Sequence, residues 1–570
     1  GSGGAVVSDT PESTAAGLRV LRAGGSAADA AVAVASTLGV TDPYVAGIGG
    51  GGYLVYYDAG SHRVSTVDGR ETTPAADGQD MFVDPSTGRP YDFPTAVTSG
   101  LSVGVPGTLA TWQRALDRWG RFGLAADLEP AEQVADQGFV VTPILREYTR
   151  ENAARFARFG STKALFLPGG DLPAVGSTMH NPDLAATYRQ IGRQGIGALY
   201  GGPVGADVVS SVHNPPLADP SDSVPTGAMT LGDLAAYDTI DRTPTHVGYR
   251  GLDVYGMPPS SSGGITDGEA LNILGNFDLA HMSRVQALHH YLEASRLAFA
   301  DRNRYIGDPA YVDVPQQQLL SPEFGRQRAC LIDPQHALTS PVPPGDPNAG
   351  SGGCTPAGAG HAAASNENHT NHFVVTDRWG DVASYTNTIE ELGGSGIVVP
   401  GRGFLLNNEL TDFNFTPTQG SAPDPNLPAP GKRPRSSMAP TIVLRNGAPF
   451  LAIGSPGGAT IITTVLQILV NRVDFGMSLP EAVDAPRASQ RNGATTQVEP
   501  AFLDEPTTPG LEALGQKFAV SDTSPLDPSI KIPPTIGAAA GLEFLGKGSV
   551  LAVGEKERRG GTSAGVVSPG

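Results

Sequence analysis

The sequence contains little cysteine and little lysine, and it has no long hydrophobic run. Its 570 residues include two cysteines, and the 38 basic side chains are six lysines and 32 arginines. No stretch approaches 18 consecutive apolar residues, so we expect no membrane-spanning helix. No cysteines and histidines have the spacing of a zinc site, and no H-E-x-x-H, P-loop or EF-hand motif occurs. The sequence therefore predicts neither a metal nor a cofactor.

Basic charge is also scarce relative to acidic charge. The 57 Asp and Glu side chains exceed the basic ones enough to give a formal net charge of −19. An excess of acidic charge disfavours binding to nucleic acids and to anionic membranes. Hydrophobic residues make up 39% and charged residues 17% of the chain, a balance that supports a folded core. The preference for arginine, with abundant glycine and alanine, is typical of a GC-rich bacterial genome.

The two cysteines leave two interpretations open. Cys330 and Cys354 are separated by a segment rich in glycine and proline. They form either one disulfide in an oxidising compartment or two buried thiols. The first interpretation predicts a secreted or cell-surface bacterial protein. Its export signal would already have been removed, because Gly1–Gly4 has neither the basic nor the apolar part of such a signal.

The chain changes character near its middle. Hydrophobic periodicity and capping residues predict helices in the first part, including 13–23, 26–38 and 283–301. The second part is richer in strands, predicted at 373–377, 381–388, 403–406, 441–444 and 450–453. Between them, residues 341–369 are poor in large apolar side chains, which is typical of a flexible linker.

Two glycine motifs match enzyme signatures but have the wrong context. Gly47–Gly52 fits G-x-G-x-x-G, yet a predicted helix precedes it and an apolar strand follows, the reverse of a dinucleotide site. Gly100–Gly104 fits G-x-S-x-G, but Val105-Pro106-Gly107 is a poor continuation for the strand-to-helix turn of an α/β-hydrolase. Both functions are therefore disfavoured.

Thr370 lies where the polar segment meets a strand, in Asn368-His369-Thr370-Asn371-His372-Phe373. Cleavage of the peptide bond before it would give Thr370 an α-amino group beside its own hydroxyl. Such an amine has a pKa of about 7.7–8.0, so it can act as a base near neutral pH. A hydroxyl nucleophile with its own amine as base is one solution for acyl transfer. Alone the signal is weak, because threonine before a strand is common.

Longer motifs accompany Thr370 along nearly the whole chain. They read AGGSAADAAVA, AGIGGGGYLVYY, VDGRETTP, GVPGTLATW, YGMPPSSSGG, HTNHF, GFLLNNELTDF, KRPRSSMAPTIV and GSPGGATIITTVLQ. With them the sequence resembles the γ-glutamyltranspeptidase family, also called glutathione hydrolases. The resemblance implies an α+β N-terminal nucleophile hydrolase fold, with two antiparallel sheets between helical layers in one αββα body. It also implies self-cleavage between His369 and Thr370 into a large subunit, residues 1–369, and a small subunit, residues 370–570.

The resemblance also implies an activity and a set of site residues. The enzyme would transfer the γ-glutamyl group of glutathione or a related amide, through an acyl-enzyme on Thr370, to water, an amino acid or a peptide. Thr388 matches a residue that hydrogen-bonds the nucleophile, and Gly457 and Gly458 match the oxyanion hole. The donor's α-carboxylate and α-ammonium would be held by a set of polar residues: Arg70, Ser436 and Ser437 for the carboxylate, and Glu409 and Asp412 for the ammonium.

Three features depart from the commonest family pattern. Asn371 replaces a second threonine after the nucleophile. Glu390 occupies a position where many members have asparagine, so it could hold the ammonium or repel the carboxylate. The proline-rich segment 413–432 has no tyrosine and resembles members without a lid loop, which predicts an open site. Two alternatives remain: a related acylase acting on a cephalosporin side chain or on γ-linked polyglutamate, and an uncleaved homologue that only binds ligands.

Overall fold

A computed structural model describes residues 3–349, 354, 359–361 and 369–568. The predicted linker, 341–369, lies partly outside the described residues. Its boundary with the second part of the chain is described, since both His369 and Thr370 are included. The chain is continuous through this bond, so the structure is that of the uncleaved protein.

Twenty strands form in the part of the chain that is described. In chain order they are β1 Gly4–Ser8, β2 Gly51–Asp58, β3 Arg63–Gly69, β4 Val83–Asp84, β5 Arg89–Pro90, β6 Phe139–Val140, β7 Thr178–Met179, β8 Ile240–Arg242, β9 Thr245–Tyr249, β10 Leu252–Gly256, β11 Asn371–Asp377, β12 Val382–Thr388, β13 Thr441–Arg445, β14 Ala448–Gly454, β15 Ala488–Ser489, β16 Thr496–Val498, β17 Phe518–Ala519, β18 Ala540–Gly546, β19 Ser549–Gly554 and β20 Ser563–Val566.

The helices lie mostly in the first part of the chain. They are α1 Pro11–Ala23, α2 Ala27–Thr41, α3 Phe93–Val97, α4 Thr108–Trp119, α5 Leu124–Gln137, α6 Pro143–Phe156, α7 Gly160–Phe166, α8 Pro182–Gln194, α9 Gly197–Tyr200, α10 Pro203–His213, α11 Leu231–Ala236, α12 Gly263–Leu274, α13 Arg284–Tyr305, α14 Gln316–Leu319, α15 Pro322–Ala329, α16 Thr460–Val473, α17 Leu479–Asp484, α18 Pro500–Leu503 and α19 Thr508–Ala513.

Two antiparallel sheets organise the molecule, and both parts of the chain contribute to each. The first has the order β20-β1-β11-β12-β2-β3-β8, and the second has the order β19-β18-β14-β13-β10-β9. Strand β11 begins directly after Thr370 and pairs with β1 on one side and β12 on the other. The two predicted subunits would therefore share both sheets and could not fold as separate domains.

The sheets lie face to face between two layers of helices. Along β11, Phe373 and Val375 pack into a core with α1, α2 and α4. Val374 points the other way and packs with the second sheet and with α12, α13 and α16. Side chains alternate in this way because successive residues of a strand face opposite sides of a sheet. The predicted αββα sandwich is thus confirmed.

Local sequence signals account for most element boundaries. Ser26 caps α2 by accepting from the N–H of Asp29, and the Asp29 carboxylate accepts from the N–H of Ser26, as the capping box predicted. Ser283 caps α13 by accepting from the N–H of Gln286. The strand predicted at 403–406 was wrong. Leu405 makes only an isolated bridge to Val398, because the glycine-rich turn that this segment faces offers no extended partner.

The cysteines form the Cys330–Cys354 disulfide, with Cα atoms 5.9 Å apart. This bond confirms the pairing of the two cysteines in the first of the two interpretations. It links the end of α15 to the segment that precedes Thr370. None of the helices in the described ranges combines the length and the apolar character that crossing a bilayer requires.

Candidate active site

Several of the predicted site residues lie at the same end of neighbouring strands in the first sheet. Thr370 directly precedes β11, Thr388 ends β12, Gly51 begins β2, and Arg70 follows Gly69 at the end of β3. These four strands are neighbours in that order. Adjacent strands are about 4.8 Å apart, so Thr370 and Arg70 lie roughly 14 Å from each other, across three strand spacings. An arginine side chain and a glutamyl group together can bridge such a span.

The His369–Thr370 peptide is held at both of its residues. The Thr388 hydroxyl donates a 3.1 Å hydrogen bond to the carbonyl oxygen of His369. The Arg559 guanidinium donates a 2.9 Å bond to the carbonyl oxygen of Thr370. The His369 ring is buried edge-on against Tyr148, 5.8 Å between centroids. Burial, and then the charge of Arg559, hold the pKa of His369 well below its usual value, so this imidazole is neutral.

The surroundings of Thr388 and of Thr370 both differ from the sequence prediction. The Thr388 hydroxyl contacts the carbonyl oxygen of His369, the residue before Thr370, and accepts a 2.8 Å bond from the N–H of Glu390. Thr370 exposes only 5% of its surface in the uncleaved chain. The predicted open site is therefore not seen at Thr370 in this state. The segment 413–432 does lack regular helix or strand, as predicted.

Gly457 and Gly458 form a turn between β14 and α16. Their φ angles are +131° and +57°, a region in which a side chain would be strained. Within the described residues neither N–H donates a hydrogen bond to the protein. The turn is near the start of β11, because the His372 ring lies directly against Gly454. Burial lowers the pKa of His372 to about 3, so it too is neutral.

Arg70 lies between the two acids that the sequence assigned to the ammonium. Its guanidinium forms buried ion pairs with Glu409 and with Asp412. It also donates to the carbonyl oxygens of Pro434, at 3.0 Å, and Arg435, at 3.1 Å. The structure therefore brings Arg70 together with Glu409 and Asp412 from a distant part of the sequence. All three lie beside the segment that carries Ser436.

A third acid completes this cluster. Glu390, with φ of +81°, follows β12 and accepts a hydrogen bond from the Asn408 side chain. Burial, reinforced by the charges of Asp412, Glu391 and Glu409, raises the pKa of Glu390 well above its usual value. Burial also raises the pKa of Asp412, although Arg70 opposes the shift. Glu390 thus holds a proton that it can share with Asp412.

Ser436 and Ser437 lie in an extended segment beside residues 260–262. The carbonyl oxygen of Ser436 accepts from the N–H and the hydroxyl of Ser262, at 2.7 and 2.6 Å. The Ser437 hydroxyl accepts a 2.7 Å bond from Arg302, a residue of α13. Both serines are buried, so their positions are fixed by the protein and not by solvent.

The sequence prediction missed Asp68, Arg433 and Arg559. Asp68 forms buried ion pairs with Arg433, at 2.8 Å, and with Arg242, at 2.7 Å, and accepts from the N–H of Arg70 at 3.0 Å. These charges outweigh burial and lower the pKa of Asp68. Asp68 lies two residues before Arg70, and Arg433 lies three residues before Ser436. This closeness in sequence to assigned site residues could have identified them. No motif pointed to Arg559.

The family model described as gamma-glutamyltranspeptidase matches residues 13–564. The chain belongs to this family. The match includes the region around Thr370, both glycines of the turn and the whole acid cluster around Arg70. The resemblance inferred from the motifs is thereby confirmed.

Two groups of family relatives are similar to this chain. It is 37% identical to the glutathione hydrolase proenzyme of Bacillus subtilis strain 168, over 92% of this chain and 86% of that protein. It is 36% identical to the acylase ACY 1 proenzyme of Pseudomonas sp. strain SE83, over 91% and 88%. The crystal structure of cephalosporin acylase from Bacillus halodurans matches with a TM-score of 0.84 and 28% identity, covering 100% of this chain and 96% of that one.

The acidic side chains of this cluster are of a type that can bind metal ions. Within the ranges that the structure describes, no group of three or more His, Cys, Asp or Glu side chains is arranged to hold a metal ion. The acid cluster is instead compensated by Arg70 and by shared protons. Its chemistry suits an organic ligand that carries both an ammonium and a carboxylate.

Proposed function

We propose that the protein cuts itself between His369 and Thr370 and then works as a γ-glutamyltransferase and hydrolase. Residues 1–369 would form the large subunit and residues 370–570 the small one. The donors would be glutathione and related γ-glutamyl amides, and the acceptors water, amino acids or peptides. The observation that supports the proposal most directly is the buried cluster of Arg70, Glu409 and Asp412. This cluster lies at the same end of the strands of the first sheet as Thr370.

Self-cleavage begins with attack of the Thr370 hydroxyl on the carbonyl carbon of His369. The C–N bond breaks as the C–O bond forms, which gives an ester on Thr370 and frees its amino group. Water then hydrolyses this ester, leaving the carboxylate of His369 and a Thr370 with both amine and hydroxyl. The Thr388 hydrogen bond supports the first step, since it polarises the carbonyl under attack.

The mature site uses the same nucleophile on a γ-glutamyl amide. The α-amine of Thr370 takes the proton of its own hydroxyl, which attacks the γ-carbonyl carbon. The N–H groups of Gly457 and Gly458 are suited to the oxygen that becomes negative, because they donate no hydrogen bond among the described residues and lie just before a helix. The leaving amine takes the proton. Water or an acceptor amine then attacks the γ-glutamyl ester and regenerates Thr370.

The headgroup is recognised through opposite charges. Arg70 can bind both oxygens of an α-carboxylate with its planar fork, with Ser436 and Ser437 alongside. The acids Glu409, Asp412 and Glu390 surround the position of the α-ammonium. In the uncleaved chain Arg70 pairs with the acids themselves. A zwitterion can replace these internal pairs without leaving any charge unpaired, which a neutral acyl group cannot do.

An acylase is the second candidate, because an acylase proenzyme matches this chain almost as well as the glutathione hydrolase proenzyme does, and a cephalosporin acylase structure matches the whole chain. With an acyl group that lacks the α-ammonium, such as glutaryl, the acids around Arg70 would have no counterpart. The two candidates would then differ in one functional group of the donor.

A matched pair of donors separates them. γ-Glutamyl anilide and glutaryl anilide differ only in the α-ammonium group and release the same amine. We expect kcat/KM for the γ-glutamyl donor to be higher by at least about 100-fold, the effect of one buried charge-assisted contact. Equal or reversed values would favour the acylase. Thr370→Ala is the control: it should run as one band on a denaturing gel and cleave neither donor.

Secretion is a further part of the proposal. The Cys330–Cys354 disulfide is the observation that supports it, because such bonds persist in oxidising compartments. The bond would join two parts of the large subunit and would not link the two subunits. Electrophoresis without reductant should therefore still separate the subunits of the cleaved protein.

A further inference from the structure

The hydroxyl groups of Ser436 and Ser437 are hydrogen-bonded in the same way. The Ser436 hydroxyl oxygen accepts a 3.0 Å bond from the N–H of Met438, and the Ser437 hydroxyl oxygen accepts a 2.7 Å bond from the Arg302 guanidinium. Neither hydroxyl donates a hydrogen bond to any residue that the structure describes. The two side chains expose only 2% and 1% of their surface. Because buried polar groups are normally paired, these two O–H groups are suited to donate to a ligand.

The bond from Arg302 restricts the direction of the Ser437 proton. A guanidinium has five N–H donors and no acceptor, so Ser437 can take part in this bond only as the acceptor. A hydroxyl that accepts a bond on one side must direct its own hydrogen to another side. The Met438 N–H has the same effect on Ser436, because a backbone N–H cannot accept either. Both protons therefore point away from the groups that hold the two oxygens.

Arg302 is itself held in place by Ser262. Its Nε atom donates at 2.8 Å to the Ser262 hydroxyl, and that hydroxyl donates at 2.6 Å to the carbonyl oxygen of Ser436. Its Nη2 atom makes the bond to Ser437. Arg302 is only 3% exposed, so water has little access to these bonds. One guanidinium from α13 thus links both serines, Ser437 through its hydroxyl and Ser436 through its backbone.

The two serines directly follow the residues that contact Arg70. Arg70 donates to the carbonyl oxygens of Pro434 and Arg435, and Ser436 is the next residue. The two O–H groups therefore lie on the segment that borders the guanidinium assigned to the donor's α-carboxylate. A carboxylate has two oxygens that can each accept more than one hydrogen bond. It can therefore accept from an arginine and from two hydroxyls at once.

We propose that Arg302 is a positioning residue for recognition of the donor's α-carboxylate. By occupying the acceptor side of the Ser437 oxygen, its guanidinium turns the Ser437 O–H toward the carboxylate. Arg302 does not touch the donor and takes no part in bond breaking. This inference rests on the proposed function and adds to it a residue from the first part of the chain. Its effect is confined to donors that carry the α-carboxylate.

A third anilide donor isolates the carboxylate. 4-Aminobutyryl anilide keeps the amino group and the scissile amide of γ-glutamyl anilide but lacks the α-carboxylate. The glutamine side chain has an amide oxygen that can accept the Ser437 proton and so turn it away from the donor. We expect Arg302→Gln to lower kcat/KM for γ-glutamyl anilide by about tenfold, and to change kcat/KM for 4-aminobutyryl anilide by less than about twofold.

Two further variants control this measurement. Arg302→Lys keeps a donor and introduces no acceptor, so it should recover part of the loss. Arg326→Gln is the matched control, because Arg326 also lies in the last turn of a helix, α15, but is exposed. We expect Arg326→Gln to change kcat/KM for neither donor.

A double-mutant cycle with Ser437→Ala separates positioning from a purely structural role. If Arg302 acts through the Ser437 hydroxyl, Arg302→Gln should cause less than about twofold further loss in the Ser437→Ala background. Equal losses on the two donors, or an undiminished loss in that background, would overturn the inference and leave γ-glutamyl transfer intact. A wild type that cleaves no γ-glutamyl donor would instead overturn the proposed function.

Self-cleavage reports whether each variant folds. If Arg302→Gln stays uncleaved, Arg302→Lys takes its place in the cycle. Ser437→Ala also decides without any change at Arg302. A loss of kcat/KM for γ-glutamyl anilide alone supports the inference. Equal losses on the two donors in Ser437→Ala would show that the hydroxyl does not reach the carboxylate, and the inference would fail.

Discussion

The hydroxyl of Thr388 donates a hydrogen bond of 3.1 Å to the carbonyl oxygen of His369. Thr388 ends β12, which pairs with β11, the strand that begins directly after Thr370. The same hydroxyl accepts from the N–H of Glu390, which fixes its direction toward His369. Thr388 therefore has a defined partner before the chain is cut. After cleavage that carbonyl leaves with the large subunit, and the hydroxyl can turn to Thr370.

Thr388 should consequently control the rate of self-cleavage. Removing one hydrogen-bond donor from a reacting carbonyl slows acyl transfer by about 100-fold or more. Thr388→Val keeps the shape of the side chain but loses the hydroxyl, so we expect uncleaved protein to persist. Thr388→Ser keeps the hydroxyl and should be cut almost normally. The fraction of cleaved chain, followed over time on denaturing gels, measures this. Equal rates for the valine variant and the wild type would contradict the role.

Glu390 should act as a neutral group in donor binding. Burial and neighbouring acids raise the pKa of Glu390 well above its usual value, so its side chain is neutral and does not repel the donor's carboxylate. Glu390→Gln preserves a neutral donor of the same length, and we expect KM for a γ-glutamyl donor to change less than about threefold. Glu390→Ala removes the donor and leaves Asp412 without it, which should raise KM by about tenfold or more. A large loss in the glutamine variant would show that the charged form is needed.

Short-range patterns predicted much of the fold. The capping residues Ser26 and Ser283 marked helix starts because an N-cap bond is local in sequence. Strands β11 and β12 lie where strands were predicted, at 373–377 and 381–388, and they pair with each other. The segment 403–406 failed because an apolar run forms a strand only if another strand is available to pair with it. That information lies in the tertiary structure.

The site was predicted in part, and the missing part is long-range. Motif resemblance placed Arg70, Glu409 and Asp412 in one site, and the structure shows them in contact. It did not predict that Arg70 itself pairs with these acids. Nor did it identify Arg559, which reaches Thr370 from a position 189 residues away. Such contacts depend on how the sheets pack and have no local signature.

The buried pair of Asp68 and Arg433 should stabilise the fold around Arg70. Breaking a buried ion pair by removing one partner costs about 3–5 kcal/mol, because the other charge remains buried. Arg242 still compensates Asp68, so we expect Arg433→Met to lose about 3 kcal/mol. Lys531→Ala is the control: its pair with Asp522 is exposed and should contribute less than about 1 kcal/mol. Denaturant unfolding of both variants in the uncleaved Thr370→Ala background gives the comparison. Similar losses would show that Asp68 tolerates the missing charge.

Stability should fall as the pH rises from 3.8 to about 9 because of a buried pair of acids. Asp127 lies beside Asp29, and burial together with that neighbour raises the pKa of Asp127 from 3.8 to about 9. The folded state therefore keeps a proton that the unfolded state loses above pH 3.8. This contribution is complete below pH 3.8 and is lost as the pH rises to about 9, at up to about 1.4 kcal/mol per pH unit.

Asp127→Asn tests this pair, because asparagine stays neutral at every pH. We expect the variant to be less sensitive to pH than the wild type, with the largest gain in melting temperature near pH 9. Asp183→Asn, at an exposed position in the first turn of α8, is a suitable control and should leave the pH dependence unchanged. Parallel curves for wild type and Asp127→Asn between pH 5 and about 9 would show that Asp127 is ionised in the folded protein.

Arg70 should be essential for donor recognition and dispensable for self-cleavage. Its guanidinium reaches two carboxylates and two backbone carbonyls at once, a geometry that a lysine ammonium cannot reproduce. Arg70→Lys keeps the charge, yet it should weaken donor binding by about 2–5 kcal/mol, seen as a higher KM for γ-glutamyl anilide. Cleavage before Thr370 should proceed, because the His369–Thr370 peptide carries no glutamyl headgroup. Arg150→Lys, in an exposed pair with Glu147, is the matched control and should change neither reaction. If Arg70→Lys cleaves low concentrations of the donor as fast as the wild type, the headgroup is bound by other residues, and the assignment of Arg70 to the carboxylate is wrong.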